Sequence, residues 1–407
     1  MQASIIIPAF NARERLELNL KALNEQSYEG SDIEVIVVDN GSTDNTMNML
    51  DNFELKYPMK IIRIEKNRGI AFARNSGIYE SEGDILIFHD SDMIATRDFI
   101  KNHLELHNEP DIVVCGLFWR RIFTFYYEAF TPYQKDKFET LMEKYQLDEN
   151  KPMKNSSPLM DFDRVTAEDL MDFSFDLDFG FIEDLKSIMN EHGKHLYDYY
   201  LPWRFFITNN LSVDRKKVID VGMFDNNIVK YGYEDYDLGV RLYKSGCKFI
   251  MADHIISLHQ EHPANYKPDD LLVNLNYMCE KYNNIYFIDV PLVCLSDSLS
   301  IDKTTLNNIV KDIYKLLPHE EYHDILHLFL DLLQVMRKRY FEQDSSNEGL
   351  FMRTTEMLGY YVRKVIHIKN TEGVPDFINQ LFSLFKMAFD IDFEKMVRFN
   401  EDKEVIS

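Results

Sequence analysis

Over the first ninety residues, short apolar runs alternate with stretches of helical periodicity. Ala3 to Ala9 is an apolar run interrupted only by Ser4 and Pro8. Asn11 can then cap a helix whose apolar positions Leu16, Leu20 and Leu23 recur at helical spacing. A second run, Ile33 to Val38, ends in Asp39-Asn40-Gly41-Ser42-Thr43-Asp44, after which Met47, Leu50 and Phe53 read as another helix. Ile61 to Ile64 gives a third strand, Asn67 to Ser81 a helix with a glycine at its entrance, and Ile85 to Phe88 a fourth strand ending in His89-Asp90-Ser91-Asp92. Continuous apolar runs are the mark of strands buried on both faces. The alternation therefore predicts an α/β fold, a mostly parallel sheet with helices on both faces. Ligands of such sheets bind beyond the carboxyl ends of the strands. Asp39 and Asp90 both stand just past a strand end and are expected to face one crevice.

The pattern breaks between about residues 120 and 200. Aromatics come first (Phe123, Phe125, Tyr126, Tyr127, Phe130, Tyr133), then acids (Asp161, Asp163, Glu168, Asp169, Asp172, Asp176, Asp178). This reads as an insertion, helical in part. Sheet-like pattern returns at Phe205 to Val213 and Phe249 to Ala252, separated by Gly232-Tyr233-Glu234-Asp235 and a helix through Leu238 and Leu242. The first domain is expected to span residues 1–295. From residue 300 to 407 the spacing is uniformly helical, through Leu306, Ile309, Val310, Ile313 and Leu317, then Ile325, Phe329, Leu332 and Leu333, then two further stretches. Four amphipathic helices predict a C-terminal all-α domain.

Charge narrows the function classes. With 45 Lys+Arg against 68 Asp+Glu the formal net charge is −23, which argues against a nucleic-acid partner. Four cysteines without C-x-x-C spacing suggest neither a zinc cage nor a disulfide framework, so reduced, buried thiols are expected. No stretch approaches the ~18 uncharged apolar residues of a membrane span. Met1 runs directly into the first strand without a basic or cleavable leader, and a cytoplasmic location is expected.

The chemistry concentrates in Asp90-Ser91-Asp92. Two carboxylates one residue apart at a strand end can both reach a hard divalent cation, which in turn bridges phosphate oxygens of a nucleotide. Three further segments accompany it in order: Ser4-Ile-Ile-Ile-Pro8-Ala9-Phe10-Asn11, Val37-Val-Asp39-Asn-Gly-Ser-Thr-Asp44, and Asn67-Arg-Gly-Ile-Ala-Phe-Ala-Arg74-Asn75-Ser-Gly77. Together with Gly232-Tyr-Glu234-Asp235-Tyr-Asp237-Leu-Gly-Val-Arg241-Leu, these residues resemble the family 2 glycosyltransferases of the GT-A fold. The resemblance implies binding of a nucleotide-activated sugar, usually a UDP-sugar, and transfer with inversion at the anomeric carbon. It implies that Pro8, Ala9 and Phe10 line the uridine pocket, that Asp39 bonds the uracil edge, and that Arg74 lies beside the base and diphosphate. Asp90, with Ser91, would touch the ribose or sugar, and Asp92 would bind Mn²⁺ or Mg²⁺ at the diphosphate. Asn210 and Trp203 would meet the donor sugar, Trp203 by stacking. Asp235 is expected as the general base, with Glu234 positioning the substrate. His259-Gln260-Glu261-His262 resembles the downstream histidine that completes the metal site in chondroitin-polymerase-like members; His259 is preferred to His262 as nearer the strand end.

The catalytic motifs do not separate acceptors. The acidic charge would repel anionic membranes and polyphosphate acceptors, and the helical domain also resembles the extra helices of bacteriocin peptide S-glycosyltransferases. A Cys or Ser of a peptide and a glycan of capsule, wall polysaccharide or teichoic acid both stay open as acceptors. The helices are expected to serve peptide recognition or to form a homodimer. A non-catalytic nucleotide-sugar sensor would keep the same fold, but the intact Asp90/Asp92 and Glu234/Asp235 pairs speak against it.

Overall fold

The computed structural model describes all residues except 148–152, 163–164, 177–180, 264–267, 345 and 407; Asp163 and Asp178 of the acidic stretch lie outside the described residues. The chain forms two compact units, one of residues 1–197 and 202–267, the other of residues 198–201 and 268–407.

The first unit opens as β1 (Ala3–Ala9), α1 (Arg13–Asn24), β2 (Ile33–Asp39), α2 (Thr46–Asp51), β3 (Met59–Arg63), α3 (Ile70–Glu80) and β4 (Ile85–His89). Strands β3, β2, β1 and β4 pair in that order and all in parallel. Side chains of alternate parity leave the sheet on opposite faces. Ile5, Ile7, Val35, Val37 and Ile87 meet Leu16, Leu20 and Leu23 of α1 on one side, while Ile36 and Val38 meet Ala73 of α3 on the other. Removing one such fully buried side chain costs about 2–5 kcal/mol.

Beyond β4 the order changes. The chain continues through β5 (Met93–Ala95), α4 (Phe99–Leu106), β6 (Ile112–Ile122) and the insertion, which holds β7 (Phe125–Tyr126), α5 (Pro132–Leu141), β8 (Ser157–Pro158), α6 (Ala167–Leu170), β9 (Phe175–Asp176) and α7 (Phe181–His192). It returns with β10 (Asn210–Asp214), α8 (Arg215–Asp220), α9 (Glu234–Lys244) and β11 (Lys248–Gln260). Strand β10 inserts between β4 and β6, antiparallel to both. The sheet is therefore mixed rather than mostly parallel, because the long insertion brings the chain back from the opposite end. As a result, the first residues of β10 stand beside the carboxyl end of β4, with Asn210 opposite His89.

The aromatics of the insertion build their own small core. Phe123, Phe125, Phe130, Phe138 and Phe175 are buried together with Leu18 of α1, and Phe123 meets Phe130, Phe138 and Phe175 at 5.3, 5.4 and 5.3 Å between ring centroids. Its acids are partly neutralised: Arg97 pairs with Asp169 at 2.9 Å and Arg120 with Asp176 at 2.7 Å.

The second unit is helical: α10 (Pro268–Lys281), α11 (Asp289–Leu295), α12 (Lys303–Leu316), α13 (His323–Arg337), α14 (Glu348–Glu356), α15 (Leu358–Thr371), α16 (Pro375–Phe389) and α17 (Phe393–Ile406). Helices α10 and α11, which the sequence reading groups with the first domain, pack against α13; buried Arg337 at the end of α13 pairs with Glu280 of α10 at 2.9 Å. Among the described residues six α-helices follow residue 300 rather than four. The stretch through Leu350 and Tyr361 breaks at Met357, and Phe393 opens a last helix that stacks on Phe385 at 4.1 Å. Among the described residues no helix is long and apolar enough to cross a membrane. The four cysteines are free and buried.

Three histidines are enclosed behind the carboxyl end of β4. His103 is bonded to Ser212 and Asn210, at 2.9 and 3.0 Å, and His107 to Ser212 at 2.8 Å. His89 meets the Asn209 carbonyl at 3.2 Å. Burial pushes His89 and His107 down to about 4 and His103 to about 3. In the unfolded chain all three protonate near 6.5, so the stability they confer is complete above that value and is lost as pH falls toward the folded values. At pH 5.5 each should cost up to about 1.4 kcal/mol. Thermal melts are expected to show a midpoint that drops between pH 7 and 5.5; a flat midpoint across that window contradicts the assignment.

Candidate active site

The site forms where the strands of the first unit end. Pro8 and Ala9 close β1 and are buried, while Phe10 is 41% exposed. The next residue, Asn11, takes a positive φ of 48° and its side-chain oxygen accepts the Thr43 N–H at 2.8 Å. This ties the end of β1 to the loop after β2. Asp39, at the end of β2, is buried and accepts the Ser42 N–H at 3.3 Å.

Asp90-Ser91-Asp92 follows β4, half-buried. The register of β11 brings the histidines to it: His259 lies opposite Met93, and the Gln260 N–H donates to the Asp92 carbonyl at 2.8 Å. A bulge in β11 between Ala252 and Ile256 resets its pairing with β6 before this point. The Asp92, His259 and His262 ligand atoms lie within 4.8 Å of one another. His262 Nε2 is 2.9 Å from Asp92 Oδ2 and His259 Nε2 is 3.7 Å. His262, which the sequence reading passes over in favour of His259, is thus the nearer of the two. It lies past the strand, where the chain turns back toward Asp92.

Each imidazole is oriented from behind. His262 Nδ1 faces the Pro263 carbonyl at 3.0 Å, and His259 Nδ1 faces Glu261 Oε1 at 3.4 Å. His262 Nε2 is hydrogen-bonded to Asp92; the acceptors behind the two rings would take the proton at Nδ1 when a cation engages both Nε2 atoms. Two imidazoles and a carboxylate converging on one point is the donor set of a divalent cation. Burial would raise the Asp92 carboxyl, but His259, His262 and Arg15 outweigh it and hold Asp92 well below the usual carboxylate range. Glu261, itself buried, is held by Gln134 at 2.9 Å and Arg121 at 3.0 Å. The sequence reading passes over Glu261 as well. The alternation of β11 was its available signal, since residues two apart on a strand share a face.

The second centre is Arg74. Helix α3 buries this guanidinium beside the sheet, with Nη2 3.0 Å from Asp90 Oδ1, Nη1 2.8 Å from Glu234 Oε1 and Nη1 3.1 Å from Asp235 Oδ1. Burial alone would lower its pKa; the charges of Asp235, Asp90 and Glu234 more than reverse that. Glu234 and Asp235 begin α9, after Tyr233 in the left-handed region (φ 69°), and the helix dipole favours acids there. Thr208 donates to Asp235 through its hydroxyl (2.8 Å) and its N–H (3.3 Å). Burial, and then the Glu234 and Asp90 charges against the opposing Arg74, push Asp235 up to about 7. Burial also raises Asp90, with Arg74 opposing. One Glu234 oxygen, Oε2, is buried without a hydrogen-bond partner.

Two expected donor-sugar contacts are corrected. Trp203 is fully buried and packs edge-on against Tyr236 of α9 at 5.7 Å. It offers no face to a sugar. Its segment presses on α9 so closely that a Cβ on Gly239 would lie 2.8 Å from the Trp203 carbonyl oxygen. Asn210 is buried too, bonded to His103 and to the Ile255 carbonyl at 2.9 Å. Both residues support the site from beneath.

The model of glycosyl transferase family 2 matches residues 4–158, and that described as the N-terminal domain of galactosyltransferase matches residues 191–263. The chain is 44% identical over 399 residues, 97% of its length and 99% of the relative's, to an uncharacterized glycosyltransferase, YfnE, of Bacillus subtilis. It is 27% identical over 301 residues to a chondroitin synthase of Pasteurella multocida, matching 71% of this chain and 28% of that protein. Among solved structures, TarS residues 1–349 of S. aureus aligns over 84% of this chain and 88% of that chain, with a TM-score of 0.46 and 15% identity. The likeness to the Bacillus subtilis protein runs nearly end to end at 44% identity, and with the family match over residues 4–158 it settles the lineage: the chain belongs to glycosyl transferase family 2.

Proposed function

We propose that the first unit transfers a sugar from a UDP-sugar to a hydroxyl acceptor, with inversion at the anomeric carbon and dependence on a divalent cation. The observation that carries the reading is the pairing of two unlike centres at one sheet edge. Asp92, His259 and His262 converge as a cation-ligand set, while Asp235, with its affinity for a proton raised to near neutrality, sits across Arg74 from Asp90. A cation held by the first set, Mn²⁺ or Mg²⁺, would neutralise charge on the departing diphosphate. Asp235 takes the acceptor proton as the acceptor oxygen forms its bond to the anomeric carbon, and the bond from that carbon to the diphosphate breaks with its electron pair leaving on UDP. Arg74 and Thr208 fix the Asp235 carboxylate, and Glu234, with Oε2 unengaged, positions the acceptor. Exposed Phe10 covers the uracil and Asp39 bonds its edge. Asp90 and Ser91 meet the ribose or sugar.

Relatives named chondroitin synthase and validoxylamine A glucosyltransferase favour a carbohydrate acceptor over a Cys or Ser of a peptide. The helical unit we assign to acceptor recognition or self-association, a choice that light scattering on the full chain decides.

UDP release from a panel of UDP-sugars, with Mn²⁺, Mg²⁺ or EDTA and without acceptor, tests the donor and the cation together. Slow hydrolysis of one UDP-sugar is expected, abolished by EDTA, and Asp92→Asn should weaken Mn²⁺ binding at least ~10-fold. Hydrolysis insensitive to EDTA, or Mn²⁺ affinity unchanged in Asp92→Asn, removes the cation site. Labelled transfer to oligosaccharides against a Cys/Ser peptide then identifies the acceptor; product only on the peptide overturns the carbohydrate reading.

A further inference from the structure

We propose that Arg15 binds the diphosphate of the nucleotide sugar, its guanidinium taking phosphate oxygens alongside the cation held by Asp92, His259 and His262. The inference rests on the UDP-sugar reading and deepens it by naming the protein's own cation for the leaving group.

Position comes first. Arg15 lies in the first turn of α1, the helix that leaves the carboxyl end of β1. Two bonds fix that turn against the acidic motif. The Arg15 carbonyl accepts from Gln260 Nε2 at 3.0 Å, and Gln260 stands between His259 and Glu261 with its own N–H on the Asp92 carbonyl. One turn further along the same face of α1, Asn19 donates to the Asp90 carbonyl at 2.9 Å.

Charge comes second. Arg15 hydrogen-bonds only to neutral groups, Nη1 donating to the Tyr127 hydroxyl at 3.0 Å and Nη2 to the Asn11 carbonyl at 3.3 Å, while Asp92 feels its charge without pairing with it. Its Nε is buried without an acceptor, and among the described residues no carboxylate lies within ion-pair distance. The other arginines of the site are committed, Arg74 to three carboxylates and Arg121 to Glu261. Neutral partners orient a guanidinium without cancelling its charge. A protein of net charge −23 repels an anionic donor at range, so a local uncompensated cation is what a diphosphate requires. A guanidinium fork matches phosphate oxygens geometrically.

Calorimetric titrations of the full chain with UDP, with uridine and with Mn²⁺ alone separate the possibilities. Arg15→Gln is expected to weaken UDP binding by about 10–100-fold, the range of a charge-assisted hydrogen-bond pair, and to leave uridine and Mn²⁺ affinities unchanged. Arg15→Lys should recover part of the loss. Tyr127→Phe, which removes the orienting hydroxyl and keeps the ring, should weaken UDP by a smaller factor and spare uridine. Equal losses for UDP and uridine make Arg15 structural and overturn the proposal, as does unchanged UDP affinity in Arg15→Gln. Failure of the parent protein to bind UDP at all defeats the donor reading, and this inference with it; a parent that binds UDP as tightly as the variant defeats this inference alone.

Discussion

Asp235→Asn should lower the rate of sugar transfer by about 10²–10⁴-fold, the contribution of a positioned general base, while UDP binding survives. The substitution keeps the shape of the side chain and the Thr208 hydroxyl bond to Oδ1, sets an NH2 against the Thr208 N–H, and removes the basic oxygen that accepts the acceptor's proton. In the parent protein the base must be ionised to act. With Asp235 pushed up to about 7, kcat should fall as pH drops below about 7 and level off above it. Asp235→Asn should lose that limb with its residual rate. The same shift has a consequence for stability, with the opposite sense. A carboxyl whose folded pKa lies above its unfolded value of 3.8 adds stability at low pH and loses it as pH rises through 7. At pH 8 the parent protein therefore carries an unfavourable buried charge beside Glu234 and Asp90, and Asp235→Asn should melt no lower than the parent. Transfer at the parent rate would remove Asp235 from the base role; a large drop in melting temperature at pH 8 would show that its charge is compensated more fully than two surrounding acids and one arginine allow.

Arg74→Leu is expected to destabilise the first unit by about 3–5 kcal/mol at neutral pH, because removing one partner of a buried ion pair leaves the other uncompensated. Here three carboxylates from two chain segments, the end of β4 and the start of α9, lose the same cation. The cost should shrink toward pH 5, since Asp235, already raised to about 7, then takes up a proton instead of repelling, and burial raises Asp90 in the same direction. Arg74→Lys keeps the charge but not the fork that reaches several carboxylates at once, so it should fall between the two and shift the acid limb of kcat to higher pH. Urea unfolding at pH 7.5 and pH 5 reads both effects. A loss below about 1 kcal/mol, the scale of an exposed ion pair, would mean that Arg74 does not hold the three acids together.

Arg74 also shows what the chain conceals. Its place beside Asn75 and Gly77 marks it as a functional residue, and the resemblance sets it by the diphosphate. In the structure its two terminal nitrogens are taken up by acids, two of them 160 and 161 residues away. We therefore assign it to holding the two halves of the site together. Arg15 carries no motif at all, and its lack of an acidic partner exists only once the surrounding elements are in place. Trp203 and Asn210 were misread for a related reason. A large aromatic or an asparagine near a site looks the same in sequence whether it faces the ligand or the core. Here it is the packing of α9 against residues 202–205 and the position of β10 inside the sheet that bury them.

What the sequence determined by itself is what short-range patterning reports. Apolar runs closed by turn residues marked β1, β2 and β4, helical spacing marked α1 and the C-terminal helices, and acids just past a strand end marked Asp39, Asp90 and Asp92. Each of these depends on which face of one element is buried, and that is written within a few residues. Tertiary structure alone decided the antiparallel entry of β10, the passage of α10 and α11 to the helical unit, the approach of His262 to Asp92 and the convergence of three acids on Arg74. These depend on which distant segments become neighbours. That choice is made by the packing of whole elements, where the insertion reverses the chain and a bulge in β11 resets its register, and no local periodicity carries it.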